Sequence, residues 1–131
     1  MAYEAFEEIR RFRTQRDQYW ANALDCAAKG ELRKASEMAW GAVAQALKAL
    51  AVSQGIYLET HRQLADFARD LSRATGDPYF KAELRDLNAL HVNFYDAILD
   101  EVDFPEYLAR AERFIRRLAE KLPKLPQDIK P

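Results

Sequence analysis

Arg85, Asp86 and His91 are the residues of this 131-residue chain whose types and spacing point to chemistry. A guanidinium can hold a phosphate through two parallel hydrogen bonds, and an imidazole takes up and releases protons near neutral pH. Together they suit a reaction at a phosphodiester. Asn88 and Tyr95, three residues before His91 and four after it, fall on its side of a helix, where they could orient the ring or hold a ribose or base. The competing reading makes His91 a core residue hydrogen-bonded to Asn88 or Tyr95, and Arg85 a solvated surface cation. His61 supplies a second imidazole, although its place in the first turn of a helix is more often a capping environment. The two histidines lack the spacing of a helical zinc pair, and Cys26 is the single cysteine, so neither a metal nor another cofactor is expected. Cys26 lies among alanines with no neighbouring base to activate it.

The elements that must position these groups are helical. Apolar residues recur at helical spacing through nearly the whole chain, and breakers punctuate it at suitable intervals. A first helix is expected over Tyr3–Lys29, closed by Gly30, and a second over Glu31–Gln54, closed by Gly55. Thr60 and Gln63 have the spacing of a capping box that opens a short third helix ending near Gly76. Asp77 and Pro78 then open a fourth helix as N-cap and first helical residue. A fifth begins after Asp103, expected to cap it, and buries Phe104, Leu108, Ala111, Ile115, Leu118 and Leu122. Residues 123–131 contain three prolines and cannot continue that helix. The expected architecture is all-α: one antiparallel four-helix bundle domain with one additional short helix over residues 1–122, followed by a proline-rich C-terminal tail.

On the fourth helix, Phe80, Leu84, Leu87, His91, Phe94 and Ile98 alternate by four and three residues, the spacing of a packing seam. His91 belongs to that seam. Arg85 lies about 120° around the helix from it, at roughly 100° per residue. One helix therefore does not aim both groups at one atom, and a composite groove between two copies of this face in a twofold homodimer would. On the second helix, Ala35, Ala39, Ala42, Ala46 and Ala49 form a stripe that lets a neighbouring helix approach closely. Gly41, costly inside a helix, calls for similar close approach by a helix or a partner subunit.

Composition bounds the function. Apolar residues make up 49% and charged residues 31% of the chain, which describes a globular domain. A formal net charge of -1 excludes a broadly basic nucleic-acid binder, so any such contact must be local. Arg10, Arg11, Arg13 and Arg16, with Phe12, Tyr19 and Trp20, could form an RNA-binding patch on the first helix. Glu7 and Asp17, four residues from Arg11 and Arg13, make an ion-paired solvated face the better reading. No apolar run is long enough to span a membrane and the first residues lack the order of a signal peptide, so a cytoplasmic protein is expected.

An arginine, a polar residue directly after it and a histidine after five intervening residues resemble the signature of the HEPN superfamily, matched here by Arg85, Asp86 and His91. The segments Lys34–Lys48, with its Trp40-Gly41 pair, Thr60–Arg62 and Leu90–Tyr95 resemble the archaeal PaREP family, usually grouped with HEPN proteins. The similarity spans roughly Glu31 to Lys121. It implies a helical bundle, commonly dimeric, whose catalytic members are metal-independent endoribonucleases. By that resemblance His91 would shuttle protons as a ribose 2′-hydroxyl attacks phosphorus, Arg85 would stabilise charge on the phosphoryl oxygens, and Asp86 would orient either one. Other HEPN proteins bind nucleotides or accompany a small nucleotidyltransferase, so a non-catalytic RNA-, nucleotide- or protein-binding module is the alternative implied.

Overall fold

The structure, a computed structural model, describes residues 3–125. It contains α1 (Tyr3–Ala28), α2 (Leu32–Ser53), α3 (His61–Thr75), α4 (Tyr79–Asp96) and α5 (Phe104–Ala119), with no strand among the described residues. The all-α expectation holds, and local chemistry explains the boundaries. Thr60 and Gln63 complete the capping box, each side chain accepting from the other's backbone N–H at 3.1 Å. Gly76 takes the left-handed conformation that ends α3, at φ 71°. Asp77 Oδ1 accepts from Tyr79 N at 3.0 Å and Oδ2 from Arg117 at 3.0 Å. Those bonds stabilise the carboxylate, the backbone one most, and hold the Asp77 carboxyl below its ordinary pKa. Asp103 takes the N-cap position of α5 as expected, without a side-chain capping bond. Asp100 closes that turn instead, its Oδ1 accepting from the N–H groups of Val102 and Asp103 at 2.9 and 2.8 Å.

Helix α2 is the central element and packs against each of the other four. Its alanine stripe is sealed, no member being more than 2% exposed. Helix α1 lies antiparallel to it, with Ile9 beside Val52 and Tyr19 against Gly41. A β-carbon at Gly41 would stand 2.9 Å from the Tyr19 ring, so close approach within the chain accounts for this glycine. Helix α4 also runs antiparallel to α2, as the Glu37–His91 and Ser36–Asn93 pairs require. Helices α3 and α5 are each antiparallel to α4, matched by Ser72–Lys81 and His61–His91 on one side and by Asp77–Arg117 and Glu83–Arg110 on the other. It follows that α2 and α3 run in the same direction. The Gln54–Thr60 connection passes back along the bundle and returns His61 to Trp40, part-way along α2, with ring centroids 5.8 Å apart.

The α4 seam differs from the expected one. Its buried residues are Phe80, Glu83, Leu84, Leu87, Leu90 and Asn93, while His91 and Phe94 are half-buried and Ile98 is 52% exposed. Two polar side chains turn inward because partners satisfy them: Glu83 by Arg110, and Asn93 by Ser36 Oγ and the Leu99 N–H. Ala97 ends the helix in the left-handed region, at φ 51°, and Ile98 leaves the seam there. An alanine in that region costs about 1–2 kcal/mol. Ala97→Gly should therefore raise stability by about 1 kcal/mol or less, after the added flexibility of the unfolded chain. A higher thermal midpoint in calorimetry is expected, and a lower one would mean that the Ala97 methyl contributes more than its backbone costs.

On α5, Phe114 is fully buried and Ile115 and Leu108 only partly so. Leu125, read from sequence as part of an extended tail, is fully buried against Ile9 and Val52. The remainder of that segment, residues 126–131, lies outside the described residues.

Candidate functional site: a cationic cleft between α3 and α4

The crossover before α3 opens a cleft of about 510 Å³ between α3 and α4, floored by α2. Trp40, Leu64, Ala65 and Leu84 supply its apolar wall. Arg62, Arg69, Lys81 and Arg85 bring four cations to it, against the single carboxylate of Asp66, and His61 and Asn88 complete the lining. Asp70 at 3.1 Å from Arg69 and Asp86 at 3.7 Å from Arg85 offset part of that charge, and the lining itself remains cationic in a chain of net charge -1. Asp66 bridges Arg62 at 3.4 Å and Arg69 at 3.2 Å. The aromatic and aliphatic wall beneath a cationic rim suits a ligand with a flat apolar part and a phosphate.

Arg85 stands on the rim with its side chain 76% exposed, its Nε 3.7 Å from Asp86 Oδ1. The other Asp86 oxygen accepts from Arg110 of α5 at 2.9 Å. Asp86 thus flanks Arg85 and is engaged by Arg110; the carboxylate beside His91 is a different one. Glu37 of α2 receives His91 Nδ1 at 3.0 and 3.1 Å. Against an ionised carboxylate that nitrogen carries the proton, an assignment that follows from its partner. The His91 ring is packed by Trp40 at 5.8 Å, His61 at 4.7 Å and Tyr95 at 5.5 Å. Asn88 faces the cleft, and Tyr95 is 62% exposed with its ring edge-on to His91.

Within one chain, His61 of α3 and Arg85 of α4 line the same cleft. Sequence reasoning missed Glu37, Arg62, Arg69 and Lys81, and the place of Trp40 in the cleft wall. Glu37 did carry a signal as the one carboxylate of an otherwise alanine-rich α2. The arginines of α1 are ion-paired, as read from sequence, but with shifted partners: Glu7 with Arg10, Glu8 with Arg11, and Arg16 with Asp17. Among the described residues, no three His, Cys, Asp or Glu side chains group in a way that could hold a metal ion.

A sequence model of the archaeal PaREP1/PaREP8 family matches residues 12–115. The chain belongs to that family. The matched span of this PaREP-family protein includes Glu37, Trp40, His61, Arg85 and His91, hence the whole cleft and the His91–Glu37 pair behind it. The structure is similar to a crystal structure of a protein from Sulfolobus solfataricus, with a TM-score of 0.71 at 16% identity over 82% of this chain and 95% of that one. At that identity the likeness establishes a shared helical fold. No curated protein matches the chain. None of the helices among the described residues is long and apolar enough to cross a membrane.

Proposed function

We propose that this PaREP-family protein is HEPN-like, binds RNA through its phosphates in the α3–α4 cleft, and cleaves it as a metal-independent endoribonuclease. The observation that carries this reading is the placement of Arg85 and an imidazole, His61, in the lining of one cleft, with the His61 ring in contact with His91, which Glu37 holds. Arg85 would neutralise charge building on the phosphoryl oxygens, with Lys81, Arg62 and Arg69 holding the flanking backbone. The Trp40 and Leu84 wall would receive a base or ribose beside Asn88, while Tyr95 stands outside the cleft lining, edge-on to His91. Imidazole would carry the protons as a 2′-hydroxyl displaces the 5′-oxygen.

The test is direct. Purified protein in a chelator should cut RNA to products ending in a 2′,3′-cyclic phosphate and leave the DNA of the same sequence intact. Binding should weaken with salt, and Lys81→Ala should reduce the slope of log affinity against log salt by about one. If diverse RNAs remain uncut and unbound at the protein's working temperature, the proposal fails.

A second reading, a non-catalytic nucleotide- or protein-binding module such as the partner of a nucleotidyltransferase, is favoured by one observation: two of the three motif side chains are engaged within the chain, His91 by Glu37 and Asp86 by Arg110. It predicts nucleotide or RNA binding in the same cleft without cleavage. A homodimer belongs to both readings, supported by the exposed apolar side chains of Tyr95, Ile98 and Val102 at the end of α4 and in the loop beyond it. Light scattering of the purified protein would read its mass directly.

A further inference from the structure

We propose that His61 is a second catalytic imidazole, sharing the proton transfers of RNA cleavage with His91. This rests on the ribonuclease reading above and goes beyond its Arg85–His91 signature. His61 is the first residue of α3, delivered to the cleft by the crossover that follows α2, and its ring lines the same cavity as Arg85. Its ring centroid is 4.7 Å from that of His91, edge to face, and Trp40 packs against both at 5.8 Å. Glu37 holds the Nδ1–H of His91, which fixes that ring's orientation and leaves Nε2 as the nitrogen that can exchange a proton with a substrate.

Cleavage by a 2′-hydroxyl needs a proton removed from one oxygen and one supplied to another. A ring poised to take up a proton is not at the same time the ring that supplies one, so two neighbouring imidazoles can divide the two transfers. His61, in the cleft, takes the 2′-hydroxyl proton as the O2′–P bond forms. Protonated His91, in ring contact with His61, gives a proton to the 5′-oxygen as the P–O5′ bond breaks, and Arg85, which lines the same cleft as His61, neutralises charge on the phosphoryl oxygens. The products are a 2′,3′-cyclic phosphate and a 5′-hydroxyl, with one proton transferred from ring to ring. The charged groups around His61 are Arg62 and Asp66 on α3, Arg85 on α4, and, behind the imidazole pair, Glu37 on α2.

Steady-state cleavage of an RNA oligonucleotide by the full chain and its His61→Ala and His61→Gln variants tests the assignment. Both replacements leave the Thr60 cap in place and remove an exposed side chain, so folding, checked by circular dichroism, should persist. The expected result is a kcat lower by roughly 10²–10⁴-fold with little change in KM, and a bell-shaped pH profile that loses its acidic limb. A substrate with sulfur at the 5′-bridging position needs no acid, and should restore His91→Ala but not His61→Ala. His61 variants that cleave within a few-fold of the parent, or that slow while keeping the full bell, overturn the assignment and leave the ribonuclease reading standing. A parent protein that binds RNA and never cuts it overturns both.

Discussion

Arg85→Ala is expected to reduce RNA cleavage by roughly 10²–10³-fold, the usual loss when one preorganised donor to a developing oxyanion is removed. The side chain is 76% exposed and its one close partner is Asp86 at 3.7 Å, so the fold should not register its loss. Asp86 keeps its stronger bond to Arg110 at 2.9 Å. The melting temperature should therefore move by no more than a surface substitution normally allows, equivalent to about 0.5 kcal/mol. Arg85→Lys separates charge from shape: it retains the cation, loses the two-pronged geometry, and should recover RNA affinity more fully than cleavage rate. Single-turnover cleavage and equilibrium binding, measured on the same variants, check this. An Arg85→Ala protein that cuts RNA at the parent rate would remove Arg85 from the mechanism; one that loses affinity in proportion to rate would make it a binding residue only.

Asn93→Ala should be the costliest single polar replacement in the bundle. Asn93 is fully buried, donates to Ser36 Oγ at 2.8 Å and accepts from the Leu99 backbone N–H at 2.6 Å. It ties α4 to α2 and fixes the chain just after the left-handed turn at Ala97. Alanine leaves the Leu99 N–H without its acceptor, at a cost of about 1–3 kcal/mol, and opens a small cavity besides. A total loss of about 2–4 kcal/mol follows, which in a domain of this size lowers the melting temperature by roughly 10 °C. Ser36 remains partly satisfied through its own bond to the Leu32 carbonyl at 2.7 Å, which caps the loss. Asn93→Asp gives a sharper check by pH. A carboxyl buried there has its folded pKa raised above the unfolded value, so the stability of the variant is fully present below the unfolded pKa and falls as pH rises through the folded one. Thermal melts of this variant that are flat with pH across the acidic range would show that the site admits water.

Much of the fold was legible because helices announce themselves locally. Thr60 with Gln63, Asp77 with Pro78, and Gly76 mark their boundaries by backbone chemistry that depends on neighbours in sequence, and the alanine stripe of α2 repeats at a spacing that only a close-packed helix face explains. The α4 seam was misjudged at Glu83 and from Leu90 onward for the opposite reason. Asn93 and Glu83 are polar, and only the positions of Ser36, Leu99 and Arg110 make their burial tolerable.

By itself the sequence determined the five helices, the arginine and histidine singled out as candidates for chemistry, and the PaREP likeness, since each follows from residue type and short-range spacing. Tertiary structure decided their company. The course of a seven-residue connection, which no periodicity encodes, makes α3 run with α2 and delivers His61 to Trp40 and His91. The packing of α2 on α4 sets Glu37, 54 residues away, on the His91 ring. Side chains so distant in sequence meet because burial of the apolar faces fixes how the helices dock, and the cleft is where that docking leaves α3 and α4 apart.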